Sequence, residues 1–422
     1  MTRQIIEADL TWSGGELVPG VQVMVDRGRI EATGALGLEP THRLEGQMLL
    51  PGFVSAHSHA FQRALRGKGE TFPAGAGTFW SWREAMYGLV GELDATRFYD
   101  AVRATYAEML AKGITTVGEF HYLHHSPAAN DYAFDEIVLS AARDAGIRVV
   151  LLLTYYKTGG IGQPLAAAQK RFETASLDEF WRQVDVIAAK TSSIGIAAHS
   201  IRGVPVEEIP LLYAEARRRG LPMHMHVEEQ RREIKDCLDA FGRTPMQILN
   251  ERLDSCEGLT AVHATHSEPA DLQRFLDRGG SVCITPLTEG NLGDGIPDIT
   301  PLLAHPDRLS LGTDSNARIS MIEEMRWLEY AQRLKSETRG AFRDDEGRNA
   351  TRLIHFATAA GARSLGINAG AIVTGAAADF VSVATDSLES LVFGSGDDAI
   401  RSVWANGVFR SAAAAPPLSN FR

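Results

Sequence analysis

The chain of 422 residues has few cysteines and no long apolar run. Its three cysteines, Cys237, Cys256 and Cys283, are far apart and odd in number, so they form neither a disulfide framework nor a paired-cysteine metal motif. No stretch approaches the roughly 18 consecutive apolar residues of a membrane span, and residues 1–12 lack the apolar core of a signal peptide. We therefore expect a cytoplasmic protein that does not act at a membrane.

Basic residues are also in deficit, with 42 Lys and Arg against 53 Asp and Glu and a net charge of -11. This balance argues against a nucleic-acid partner, because an acidic surface gains nothing from the release of counterions. The hydrophobic content of 44% is that of an ordinary folded protein, and the length fits one large domain with an accessory unit. We expect a small-molecule substrate and a homo-oligomeric state, namely a dimer.

Two kinds of hydrophobic pattern divide the chain. Alternating polarity predicts short strands at 21–26, 43–50, 378–384 and 402–409. Between them, eight apolar and β-branched runs alternate with segments long enough for helices, at 52–55, 114–119, 148–155, 194–198, 222–227, 259–265, 281–285 and 309–313. One of the intervening segments, 97–112, has apolar residues at helical spacing before Gly113.

Eight buried strands alternating with helices predict an α/β fold, a parallel (β/α)8 barrel of the TIM type. We assign the barrel to residues 51–365, and a small β-sheet domain built from both termini to residues 1–50 and 366–422. The long interval after the first barrel strand contains several glycines and the aromatic run FWSW, which predicts an insertion at about 62–95 near the mouth of the active site.

Histidines and one aspartate occur where the predicted barrel strands end. His57 and His59 follow the first strand with a spacing that places both imidazoles on one face. His226 and His263 close the fifth and sixth strands, and Asp314 follows the eighth. A barrel carries its active site at these carboxyl ends, and imidazoles with a carboxylate suit zinc. The pattern therefore predicts a metal site.

These motifs resemble the amidohydrolase superfamily. The predicted fourth strand runs into His199 without a lysine that could bridge two metals, which resembles the single-metal deaminase branch. More narrowly, HSHAFQRA at 57–64, TFWSWREAMY at 78–87, EFHYLHH at 119–125 and TEGNLGDGI at 288–296 are similar to the bacterial formimidoylglutamate deiminases of histidine degradation. The similarity covers nearly the whole chain.

The resemblance implies a role for each of several residues. It implies one divalent ion per chain, Zn²⁺, with the ligands His57, His59, His226 and Asp314. It implies catalytic roles for Glu229, His263 and Asp314. The chemistry of the residues agrees, since zinc lowers the pKa of a bound water to about 7 and Asp314 can accept the proton. Glu229 would then carry the proton to the departing nitrogen.

The reaction implied is hydrolysis of N-formimidoyl-L-glutamate to N-formyl-L-glutamate and ammonia. The two carboxylates of this substrate need forked cationic donors, which Arg83 and Arg202 can supply. Gln62, Tyr122 and His199 could add hydrogen bonds. The sequence does not assign His121, His124, His125 and His266, and His224 is expected to be a core residue one layer deeper in the barrel.

Three other functions stay open. A purine or pyrimidine aminohydrolase uses the same machinery, although two arginines would be misplaced in its pocket. A hydrolase that releases formamide from formimidoylglutamate would need the same ligands. An inactive scaffold barrel disagrees with the complete set of histidines and acids at the strand ends.

Overall fold

The computed structural model describes residues 3–68, 70–72 and 77–411. Its strands are β1 (Gln4–Ser13), β2 (Glu16–Val18), β3 (Gln22–Asp26), β4 (Arg29–Gly34), β5 (His42–Pro51), β6 (Phe53–Ser58), β7 (Ile114–His121), β8 (Arg148–Tyr155), β9 (Ile194–Ser200), β10 (Met223–Val227), β11 (Leu259–His263), β12 (Ser281–Ile284), β13 (Leu309–Leu311), β14 (Phe380–Val383), β15 (Ile400–Ala405) and β16 (Val408–Ser411).

The helices lie between β6 and β14 in chain order. They are α1 (Phe79–Glu92), α2 (Ala95–Ala111), α3 (Ala133–Ala145), α4 (Leu177–Ala188), α5 (Ile209–Arg219), α6 (Arg231–Phe241), α7 (Pro245–Arg252), α8 (Pro269–Asp277), α9 (Pro286–Leu292), α10 (Thr300–Leu303), α11 (Met321–Ser336), α12 (Ala350–Phe356) and α13 (Ala359–Ser364). No helix in these described ranges is long and apolar enough to cross a membrane.

The eight strands β6 to β13 form one parallel sheet in chain order. The sheet closes on itself because the end of β13 pairs with the end of β6: the Thr313 and Asp314 amides donate to the His57 carbonyl at 3.0 Å, and the His59 amide donates to the Asp314 carbonyl at 2.9 Å. The central strands are buried along their whole length, as expected for a sheet covered by helices. The predicted (β/α)8 barrel is therefore confirmed.

The second sheet joins both ends of the chain, with the strand order β16-β15-β14-β5-β1-β3-β4 and β2 paired to β1. Its own core contains Ile6, Val23, Leu49, Phe380 and Trp404. The predicted accessory sheet is confirmed as an architecture, whereas the proposed domain boundaries stay predictions. Residues 412–422 of the proposed terminal domain, and residues 1 and 2, lie outside the described residues.

One predicted strand is wrong. The segment 402–409 is a hairpin, in which β15 turns into β16 at Asn406 and Gly407. Both turn residues have positive φ, at 54° and 72°, the conformation of the tight hairpin turn that Asn-Gly favours. The strands β1 and β4 were not predicted; adjacent Ile5 and Ile6 interrupt the alternation in β1, whereas the residues of β4 do alternate in polarity.

The predicted insertion contains the helix α1. Thr78 caps its first turn through a reciprocal pair of hydrogen bonds with Ser81, and Phe79, Met86 and Val90 form its buried face. This helix borders the pocket at the mouth of the barrel. Residues 69 and 73–76 of the predicted insertion lie outside the described residues.

Candidate active site

Three histidine side chains meet at the carboxyl ends of β6 and β10. The Nε2 atom of His226 lies 3.3 Å from Nε2 of His57 and 3.3 Å from Nε2 of His59. The Nδ1 atoms of His59 and His226 each hydrogen-bond a backbone carbonyl at 2.8 Å, those of Phe120 and His199. Since a carbonyl only accepts, both Nδ1 atoms carry the proton, and the neutral rings point Nε2 lone pairs at one another.

Burial favours this neutral state. It lowers the pKa of all three imidazoles, to about 3 for His59, where the neighbouring His57 adds to the effect. Facing lone pairs repel unless a cation lies between them. Tetrahedral zinc with bonds of about 2.0–2.1 Å to nitrogen would hold its ligands about 3.3–3.4 Å apart, as they are here. The three histidines could therefore hold a metal ion.

Asp314 completes this group of side chains. Its Oδ1 atom lies 3.3 Å from Nε2 of His57 and 3.5 Å from Nε2 of His59. Burial opposes the charge on Asp314, but the hydrogen bond from His57 and the nearby His263 hold the pKa of the carboxyl well below its usual range. The carboxylate is thus charged and offers a fourth group of a type that zinc accepts.

Glycine is required beside this group. A Cβ atom at Gly312 would lie 2.8 Å from both the Cβ atom and the carbonyl oxygen of His57. The close approach of β13 to β6 therefore depends on the absence of a side chain at this position. Farther along, Asp314 and Asn316 adopt positive φ, as do Glu228, His263 and Ala264 at neighbouring strand ends. Such strained residues cluster at functional sites.

Glu229 and His263 lie beside the group without joining it. The Nε2 atom of His263 is 3.9 Å from both Glu229 Oε1 and Asp314 Oδ2. Burial by itself would lower the pKa of His263. The charges of Glu229, Glu289 and Asp314 outweigh this effect and raise the pKa to about 10. Burial raises the pKa of Glu229. A buried imidazole and a buried carboxyl group thus lie side by side next to the histidine group.

The predicted substrate-binding residues converge on the same pocket. Its lining includes Gln62, Arg83, Tyr122, His199 and Arg202 together with His59, His226, Glu229, His263 and Asp314. The Gln62 amide donates to the Tyr122 hydroxyl at 2.7 Å, while Gln62 Oε1 is buried without a hydrogen-bond partner in the described chain. His57 is completely buried and does not line the pocket. The five predicted substrate-binding residues therefore line one pocket, and their roles stay predictions.

Two arginines supply positive charge to the pocket. Arg202 Nη2 lies 3.6 Å from Glu229 Oε2, and Arg202 Nε lies 3.6 Å from Glu233 Oε1. The Arg83 guanidinium is 4.5 Å from the centre of the Trp80 ring. Within the described ranges, neither guanidinium donates a hydrogen bond to a protein acceptor, so their donors are available to an anion.

A second histidine cluster has a different character. His121 Nε2 and His124 Nδ1 lie 2.9 Å and 2.8 Å from the same oxygen of Asp135, and the Gln183 amide donates to the other oxygen at 2.8 Å. His124 Nε2 hydrogen-bonds the Thr154 carbonyl at 2.8 Å. These groups could also hold a metal ion. The two histidines nevertheless contact the Asp135 carboxylate directly through hydrogen bonds. None of these residues lines the pocket.

The other unassigned histidines have structural partners. The ring of His224 is buried and hydrogen-bonds the Ser364 carbonyl at 3.0 Å, as the prediction of a core histidine requires. His125 bridges the Glu173 carbonyl and the Tyr132 amide. His266 is partly buried, and burial lowers the pKa of its imidazole.

Several residues of the site were missed by the sequence analysis. Glu289 Oε1 lies 3.4 Å from His263 Nδ1, and the Asn316 amide bonds to the His59 and Asp314 carbonyls at 3.2 Å and 2.8 Å. Glu233 lies behind Arg202. Glu289 belongs to a motif quoted above, so its position was a usable signal, whereas Glu233 and Asn316 carried none.

The protein is a parallel barrel with a pocket of histidines and acids at the carboxyl ends of its strands. This combination is typical of barrel hydrolases. The amidohydrolase family model matches residues 48–409, and the chain belongs to this family. Its activity is therefore that of a hydrolase acting on carbon-nitrogen bonds.

Three relatives illustrate the range of the family. The chain is 39% identical over 346 residues to the formimidoylglutamate deiminase of Pseudomonas aeruginosa, covering 80% of this chain and 76% of the relative. It is 28% identical over 369 residues to a 5-methylthioadenosine/S-adenosylhomocysteine deaminase of Shouchella clausii, covering 86% and 78%. Among solved structures, an amidohydrolase from Brucella melitensis superposes with a TM-score of 0.88 at 29% identity, covering 97% and 94%.

Proposed function

We propose that this hydrolase converts N-formimidoyl-L-glutamate and water to N-formyl-L-glutamate and ammonia, a step of histidine degradation. The observation that carries the proposal is the contact of Arg202 with Glu229 at 3.6 Å, at the edge of the histidine group. A cation and an acid side by side suit a substrate that has an anionic tail and an amidinium head. The identity to a formimidoylglutamate deiminase supports the same substrate.

We assign the metal site to His57, His59, His226 and Asp314, with one divalent ion per chain, namely Zn²⁺. The spacing of the nitrogens and the lone pairs that face one another support this assignment. When bound, such an ion supplies Lewis-acid activation of a water molecule. The remaining steps, proton transfer and substrate binding, are carried out by side chains of the protein.

Asp314 is the proposed general base. Its low pKa keeps it ionised, and the contacts with His57 and His59 fix its orientation toward the centre of the group. Glu229, whose pKa burial raises, is the proposed carrier that takes this proton to the departing nitrogen. His263, held by Glu289, donates to the oxygen that develops on the substrate carbon.

Arg83 and Arg202 are the proposed ligands of the two substrate carboxylates. A protein with a net charge of -11 repels a dianion weakly, so local cations with free donors must provide the attraction. Gln62, Tyr122 and His199 contribute neutral groups to the pocket wall. With the carboxylates held at the arginines, the terminal nitrogen of the formimino group points toward Glu229, and ammonia leaves.

A ring aminohydrolase is the second candidate, favoured by the similarity to the deaminase of Shouchella clausii. The two arginines argue against it, because an uncharged purine or pyrimidine would leave both guanidinium groups desolvated without a partner. The homodimeric state, the cytoplasmic location and the domain boundaries stay predictions that rest on the sequence.

The test combines metal analysis with a substrate screen. Elemental analysis of the purified protein should give one zinc per chain, whereas two tightly held ions would contradict the mononuclear site. Ammonia release should be rapid with N-formimidoyl-L-glutamate and undetectable with guanine and cytosine. Release of ammonia from guanine alone would favour the second candidate.

A further inference from the structure

A buried carboxylate without a hydrogen-bond partner lies behind the proposed substrate site. Glu233, in the first turn of α6, has no exposed surface. Neither of its carboxyl oxygens has a hydrogen-bond donor within reach in the described chain. Burying a carboxylate in its charged form without a partner is unfavourable. A group nearby must therefore compensate the charge, or the carboxyl group must be protonated.

The nearest cation to Glu233 is Arg202. Glu233 Oε1 lies 3.6 Å from Arg202 Nε, and Glu229 Oε2 lies 3.6 Å from Nη2 of the same guanidinium. The distance exceeds a hydrogen bond, so the pair is held by charge and the donors of Arg202 stay free. Burial disfavours the charge on Arg202, but Glu233 and then Glu229 raise the pKa of the guanidinium.

We propose that ionised Glu233 is the counter-ion of Arg202 in the free enzyme. When a ligand carboxylate binds Arg202, the carboxylate of Glu233 takes up a proton from water. The proposal rests on the function given above only for the identity of the ligand. In the free enzyme, ionised Glu233 neutralises Arg202. An arriving carboxylate joins Glu229 and Glu233 around one buried cation and disfavours the charge on Glu233, which has no exposed surface.

The surroundings of Glu233 support such an exchange near neutral pH. Burial raises the pKa of Glu233 to about 7, and the charges of Glu229 and Glu228 raise it while Arg202 and His263 lower it. The thiol of Cys237 on the same helix has a pKa that burial, and then Glu233, raise to about 12, so it stays neutral. These groups face Glu233 from its own helix and from the ends of β9, β10 and β11.

The sign of the linkage follows from these charges. Above pH 7 the free enzyme must bind a proton at Glu233 in order to bind the ligand tightly, so affinity falls as pH rises. For one proton and a pKa of about 7, the dissociation constant should rise about thirtyfold between pH 6 and pH 8.5. The substitution Glu233→Gln mimics the protonated state and removes this dependence.

The test is calorimetric binding of N-formyl-L-glutamate to the purified enzyme at pH 8 in two buffers of different ionisation enthalpy. We expect wild type to take up close to one more proton per ligand than Glu233→Gln. The variant should also bind the ligand about tenfold more tightly than wild type at pH 8 and equally at pH 6. Mere damage to the fold would weaken binding at both pH values.

Glu228→Gln is the matched control. Glu228 is a buried glutamate that accepts a hydrogen bond from the Met246 amide at 2.9 Å, and its pKa is also raised by burial. This variant should keep the proton uptake of wild type. Equal proton uptake by wild type and Glu233→Gln would refute the proposed role of Glu233 as a counter-ion that takes up a proton. The proposed function would remain intact. Failure of wild type to bind N-formyl-L-glutamate at all would overturn both.

Discussion

Replacement of Arg202 by alanine tests whether the pocket recognises a carboxylate. The side chain is only 12% exposed, and its guanidinium makes no hydrogen bond to an acceptor of the described chain, so its donors are available to substrate. Loss of a charge-assisted pair that leaves the ligand carboxylate unpartnered costs about 2–4 kcal/mol. The value of kcat/KM for N-formimidoyl-L-glutamate should fall about thirty- to a thousandfold.

The assay is ammonia release, measured also with two shortened substrates that each lack one carboxylate. The loss caused by Arg202→Ala should largely disappear with the substrate that lacks the carboxylate bound at Arg202. Arg202→Lys should recover only part of the activity, since lysine lacks the forked donors. Arg232→Ala is the control, because Arg232 lies 4.7 Å and Arg202 6.0 Å from the centre of the Trp80 ring, but Arg232 is 63% exposed. Equal losses for Arg202→Ala with all three substrates would refute the reasoning.

Other substitutions separate the metal ligands, the proton carrier and the closure of the barrel. Asp314→Asn should keep the fold and lower kcat about 100-fold or more, with metal content checked by elemental analysis; unchanged turnover would remove Asp314 from the mechanism. Glu229→Gln should bind metal as wild type does and release ammonia far more slowly in single-turnover experiments. Gly312→Ala should cost about 1–3 kcal/mol in the free energy of unfolding and weaken metal binding, because the new Cβ meets His57 at 2.8 Å. Wild-type metal affinity in this variant would show that β13 can shift.

The sequence was most informative where a pattern repeats. The eight barrel strands were predictable because each is a buried apolar run between helical segments, and β8 begins and ends where it was expected. The segment 97–112 was predicted as a helix and forms α2 from Ala95 to Ala111. The convergence of His57, His59, His226 and Asp314 followed from the rule that parallel strands end at one edge.

The sequence was least informative where a contact joins distant segments. Glu233 was indistinguishable from a helix-surface acid, since only the fold places it against Arg202, which lies 31 positions earlier. Asn316 gave no signal because only the fold brings its amide to the backbone carbonyl of His59. The hairpin at Asn406 and Gly407 was missed although the dipeptide is a strong turn signal, because the apolar residues on both sides were counted as one strand.

Product analysis of the reaction with N-formimidoyl-L-glutamate tests the central claim most directly. The purified enzyme would be incubated with substrate until conversion is complete, and the products identified by nuclear magnetic resonance and an ammonia assay. The account predicts N-formyl-L-glutamate and ammonia in equal amounts, because the terminal nitrogen faces Glu229. Formamide and glutamate as the main products would contradict it, even if the metal site were as assigned.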